Sequence, residues 1–126
     1  ITHALPAGAL VARVGGEEFV VVDVAAPGQA AAMSERVRAA IAAGADEVTV
    51  TASVGVATAA LADFTDTDSG GRAVLDAAIE CADHAMLAAK RNGGDGAIRR
   101  SLLADDGMSC ECTASSQCGD AASRKP

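Results

Sequence analysis

The amino-acid sequence predicts a mixed α/β (α+β) domain, and three patterns carry that reading. Between Leu10 and Val22, two apolar, β-branched runs flank a corner of Gly15, Gly16, Glu17 and Glu18. Residues 48 to 57 alternate, with Val48, Val50, Ala52, Val54 and Val56 on one face and Thr49, Thr51, Ser53 and Gly55 on the other. Two further stretches, from Pro27 to Gly44 and from Arg72 to Lys90, space their apolar residues at the helical period. Hairpin, helix, strand and helix therefore follow one another along the chain.

Composition bounds what such a domain can be. A chain of 126 residues suits one domain, and its only aromatic residues are Phe19 and Phe64. A core built on Ala and Val buries little area per residue, so independent stability is expected to be small. The formal net charge of −7 excludes a basic nucleic-acid-binding face, although it leaves room for a nucleotide neutralised by a cation. No apolar run reaches transmembrane length, and no signal peptide is recognisable. Ile1 stands where Met would open a complete chain, so the sequence reads as a piece of a longer protein.

Taken in order, Pro6 and Gly8 mark residues 1 to 9 as an irregular lead-in. Val and Phe favour pleated strands, and glycine supplies the positive φ of a tight reversal, so residues 10 to 22 read as a β-hairpin. Its tip combines bare backbone N–H groups, which suit phosphate, with two carboxylates, which suit Mg²⁺. On these residues alone, a metal-and-phosphate site and a plain turn made soluble by Glu are both open readings. In the first helix Pro27 suits the opening turn and Gly44 the C-cap. Met33, Val37, Ala40 and Ile41 form its apolar stripe, while Arg36 and Arg38 read as solvated.

Gly55 inside the alternating strand permits close approach of a neighbouring helix or backbone. Residues 58 to 71 read as a solvated loop. Asp66-Thr67-Asp68 there matches the opening of a calcium loop, but Gly70 and Ala77 occupy later ligand positions. In the second helix Leu75, Ile79, Ala82 and Met86 form the apolar stripe, Cys81 packs as a small hydrophobe, and His84 is solvated. Gly93-Gly94-Asp95-Gly96 follows a helix, which excludes a dinucleotide-binding turn. Residues 97 to 100 read as a short last strand. From 101 to 126 the chain reads as a disordered tail, whose Cys110, Cys112 and Cys118 lack zinc-ligand spacing.

Three blocks carry a family resemblance. Arg13-Val14-Gly15-Gly16-Glu17-Glu18-Phe19 resembles the signature hairpin of GGDEF domains, the diguanylate cyclases, in its GGEEF variant. The run from Val48 to Ala57 resembles the family's strand ending in Ser-Ile-Gly-Ile-Ala, and Ala82 to Lys90 resembles its Ala-Asp-x-Ala-x-Tyr-x-Ala-Lys helix. Together they cover roughly residues 9 to 100 in the family's order, far more specific than any single block. The resemblance implies a nucleotidyl-cyclase-like sheet flanked by helices. Residues 1–100 would form the C-terminal part of that domain, without its N-terminal strand and helices or their Asp-x-Asp-x-Phe-Lys metal segment.

The resemblance also assigns roles. Glu17 and Glu18 would be catalytic, with Glu17 the metal ligand for Mg²⁺ (or Mn²⁺). Gly15, Gly16 and Lys90 would bind the nucleotide, Lys90 at its outer phosphates. The implied reaction condenses two GTP into cyclic di-GMP and pyrophosphate. It needs a homodimer, in the cytoplasm, under an upstream sensory or regulatory domain, so this chain alone is expected to be inactive. Two departures stand out. Pro6 and Ala9 replace the family's Arg-x-x-Asp product-inhibition pair, and Gly94 replaces an arginine phosphate clamp. These departures keep open a GGDEF-like nucleotide-binding or regulatory module without catalysis, and a structural domain with a coincidental turn.

Overall fold

A computed structural model describes residues 2–26, 28–44, 48–64, 68–102 and 110–112, with Asp68 and the last three described by backbone alone. The hairpin forms as the apolar runs require. Strands β1 (Leu10–Arg13) and β2 (Phe19–Val22) pair antiparallel, with Leu10 opposite Val22 and Arg13 opposite Phe19. They make a two-stranded sheet of their own. Helix α1 (Gln29–Ala43) follows, and Pro27 lies outside the described residues. At its start the Ala26 N–H donates to Gln29 Oε1 at 3.2 Å and the Gln29 N–H to the Ala26 carbonyl at 3.1 Å. It ends where the Gly44 N–H donates to the carbonyls of Ala40 and Ile41. Met33, Val37, Ala40 and Ile41 are half-buried as their spacing predicts, and the buried Ser34 hydroxyl donates to the Ala31 carbonyl at 2.8 Å.

The second sheet holds the core. Strands β3 (Val54–Thr58) and β4 (Ala97–Leu102) pair in parallel, from Val54 opposite Ala97 to Thr58 opposite Ser101. Strand β5 (Cys110–Cys112) adds antiparallel to β4, giving the order β3-β4-β5. Helix α2 (Asp68–Arg91) links β3 to β4 and packs across both, and α1 also touches these two strands. Gly55 explains how closely α2 lies. A Cβ at that position would overlap the Ala82 carbonyl oxygen and the Met86 amide nitrogen and sit 2.9 Å from the Ala82 carbonyl carbon. The approach expected at Gly55 is thus made by helix backbone.

Several expectations change in the folded chain. The strand expected over 48–57 is regular only from Val54 to Thr58. Its partner β4 begins at Ala97, opposite Val54, and among the described residues 48–53 have no strand beside them; Val48 is 70% exposed. Alternation marks a residue as able to join a sheet, but a ladder needs a neighbour. Helix α2 begins at Asp68, so 68–71 are helical, which rules out the calcium-loop resemblance; residues 65–67 lie outside the described part. Its deepest face is Cys81, Ala85 and Ala89, and Ile79 is exposed, because the helix seats its smallest residues where backbones meet. Cys81 is buried as expected of a small hydrophobe, but it is disulfide-bonded.

Arg38 departs from a solvated reading as well, whereas Arg36 is exposed. The Arg38 guanidinium pairs with Glu35 one turn back, at 3.2 Å, and reaches the Asp95 carboxylate beyond α2. Hydrogen bonding to Asp95, then to Glu35, raises its pKa above the ordinary arginine value. Strand β4 also runs two residues past the expected domain limit at 100, and 110–112 pair with it; 103–109 and 113–126 lie outside the described residues.

Candidate functional site

The hairpin tip and the end of α2 are where the sequence places its functional residues, and the fold brings the two together. Beyond the last strand pair, the N–H groups of Val14 and Gly15 both donate to the Glu18 carbonyl, at 3.0 and 3.4 Å. That closure leaves Gly15, Gly16 and Glu17 as a three-residue tip. Neither tip glycine adopts the positive φ expected of a tight reversal; among the described residues positive-φ glycines are at 8, 28, 93 and 94. At Gly15 the missing Cβ leaves space instead. A Cβ on Gly15 would stand 3.1 Å from Glu18 Oε2, so its absence lets the Glu18 carboxylate fold back over the loop. A Cβ on Gly16 would meet nothing within 4 Å, so backbone there lies open to an approaching ligand.

Lys90 arrives by a defined helix ending. The Gly94 N–H donates to the Ala89 carbonyl at 3.1 Å and the Gly93 N–H to the Lys90 carbonyl at 3.4 Å, the pair of bonds of a Schellman turn. Gly93 (φ 107°) and Gly94 (φ 72°) both need the conformations that glycine tolerates. Lys90 is thereby set in the last turn, and its Nζ lies 3.8 Å from Glu18 Oε1, both side chains about half exposed. Gly94, where the family resemblance would place a second phosphate-binding cation, stands outside the helix.

The carboxylates of the tip differ. Glu18 is tied to Lys90, whereas the exposed Glu17 side chain has no ion pair or hydrogen bond among the described residues. Among those residues, no cluster of three or more His, Cys, Asp or Glu forms a ready metal cage. One free carboxylate beside open backbone still fits Mg²⁺, which binds through one or two carboxylates and completes its shell with substrate phosphates and water. A shallow depression of about 340 Å³, lined by His84, Ala88, Arg91, Asn92 and Arg100, sits on a different flank of α2 from Lys90 and is not this site.

Sequence reasoning missed one group. Arg13 Nε lies 3.3 Å from the Gly15 carbonyl oxygen and 3.2 Å from that of Gly16, Nη2 also donates to Gly16, and the guanidinium sits 5.9 Å from the centre of the Phe19 ring. The signal was the pairing of Arg13 and Phe19 at the hairpin's last rung.

An α/β domain that presents a glycine-and-glutamate hairpin tip to a helix-end lysine defines a class of candidate phosphate-handling sites. The match to the family described as "Diguanylate cyclase, GGDEF domain" spans residues 1–96, and the chain belongs to that family. No curated protein and no solved structure matches it. Cyclases of this family generally use divalent metals. No described helix is long and apolar enough to cross a membrane.

Proposed function

We propose that this chain supplies the signature hairpin and the phosphate-facing lysine of a cytoplasmic diguanylate cyclase that condenses two GTP into cyclic di-GMP. The observation that carries the reading is the Glu18–Lys90 contact, which joins hairpin tip and helix end across more than seventy residues of chain. In each of two equivalent steps the 3′-oxygen of one GTP attacks the α-phosphorus of the other. The bond to the bridging oxygen breaks, pyrophosphate leaves, and the hydroxyl proton passes to solvent. Two facing copies of the domain bring the pair of substrates into line. A bound Mg²⁺ or Mn²⁺ would neutralise phosphate charge and lower the hydroxyl pKa, held by Glu17. The backbone of Gly15 and Gly16, open at Gly16, lies against ribose and α-phosphate. Lys90 takes the outer phosphates, and Glu18 keeps its ammonium beside the tip.

In the full-length protein, Glu17→Ala should reduce Mg²⁺-dependent cyclic di-GMP formation by about 10²-fold or more. The melting temperature should be unchanged, since the Glu17 side chain is exposed and unpaired among the described residues. Turnover that survives the substitution would remove the proposal. One observation favours a second reading, a nucleotide-binding regulatory module. Gly94, at φ 72°, offers no cation to the phosphates. Wild-type protein that binds GTP with Mg²⁺ and forms no cyclic di-GMP would establish that alternative.

A further inference from the structure

We propose that Arg13 is a positioning residue whose guanidinium fork sets the direction of the tip's backbone N–H groups. This rests on the tip being the phosphate-facing site proposed above. Both carbonyls that Arg13 engages, those of Gly15 and Gly16, belong to consecutive peptide units. The described chain contains no cis peptide bond, and in a planar trans unit the C=O and the following N–H point in opposite directions. Drawing both oxygens toward one guanidinium therefore turns the N–H groups of Gly16 and Glu17 to the far side of the loop. Neither amide has an acceptor among the described residues, whereas those of Val14 and Gly15 are both satisfied by the Glu18 carbonyl. Two adjacent free donors that share a direction form a site for an anionic oxygen.

Phe19 completes the device. It lies directly across from Arg13 and offers its ring beneath the guanidinium, 5.9 Å away. The planar fork matters more than the charge. Arg can engage two carbonyls at once in a fixed geometry, whereas the single ammonium of Lys cannot hold both in the same way. Arg13 thus acts through Gly16 and Glu17 and need not touch the ligand.

The test uses the full-length protein, with two readouts on the wild type, Arg13→Lys, Arg13→Ala and Phe19→Leu. Amide hydrogen exchange without nucleotide reports whether Val14 and Gly15 stay bonded to Glu18. Titration with Mg²⁺ and GTP, followed at the Gly16 and Glu17 amide resonances, reports the donor pair. We expect Arg13→Ala and Arg13→Lys both to lose tip protection and to weaken GTP binding about tenfold, with overall melting unchanged. Phe19→Leu should fall between them and the wild type. Full affinity in Arg13→Lys would show that charge alone suffices and would overturn the proposal, as would unchanged exchange in Arg13→Ala. If the wild-type protein binds no GTP, the phosphate-site reading fails. The exchange result then decides the role of Arg13 alone, with lost protection supporting its hold on the loop and retained protection refuting it.

Discussion

Cys81, Ala85 and Ala89 of α2 are buried, and across the helix Gly55 admits its backbone so closely that a single methyl would collide. Along the hairpin, by contrast, Leu10, Val11, Phe19 and Val22 all remain exposed, and among the described residues the strands pair only with each other. The first region is held by close packing of small residues, where each atom's position depends on its neighbours. The second is held by ladder hydrogen bonds and by a few polar ties: Arg13 to the tip carbonyls, and Glu18 to Lys90. The reactive corner of this domain is thus positioned locally, and the ion pair that ties it to the end of α2 is half-exposed.

Three experiments test that contrast. Gly55→Ala should have the largest effect, lowering urea-derived stability by about 3 kcal/mol, because helix backbone cannot yield as a side chain can. Hairpin substitutions should leave that quantity nearly untouched. A loss under about 0.5 kcal/mol would mean that α2 slides off β3 freely and that the core is no tighter than the hairpin. Gly94→Arg comes next. It places a side chain at φ 72° and should cost about 1 kcal/mol by thermal unfolding, without improving GTP affinity. Tighter GTP binding in that variant would show that α2 can extend by another turn and rebuild a clamp. Smallest is the coupling between tip and core. A double-mutant cycle of Glu18→Ala and Lys90→Ala should give about 0.5 kcal/mol of stability, diminishing with added salt. A coupling above about 1.5 kcal/mol would show that the hairpin is anchored as firmly as a packed element.

Much of this arrangement was legible from residue order. The hairpin follows from β-branched runs around a glycine-rich corner, α1 from the spacing of Met33, Val37, Ala40 and Ile41, and the close approach at Gly55 from a glycine inside an alternating strand. The candidate residues Gly15, Gly16, Glu17, Glu18 and Lys90 were named from their motifs, and Glu18 and Lys90 do meet. Other features were invisible for physical reasons. Nothing local says that 48–53 lack a partner strand among the described residues, since Val48 and Val50 alternate as cleanly as Val54 and Val56. The deepest stripe of α2 depends on where Gly55 lets the helix settle, so Leu75 and Ile79 looked more central than Ala85 and Ala89. Arg38 looked solvated because Asp95 is distant in sequence, and the spacing of Cys81 gave no sign of its disulfide.

Residue order by itself determined the kinds of element, the chemistry available at the tip and membership of the GGDEF family, because periodicity, propensity and motif spacing are properties of neighbouring residues. Tertiary structure alone decided which half of the alternating segment becomes a strand, which face of α2 is buried, and which of the two tip carboxylates meets Lys90. Those outcomes depend on contacts between residues far apart in the chain, and such contacts exist only once the backbone has closed around them.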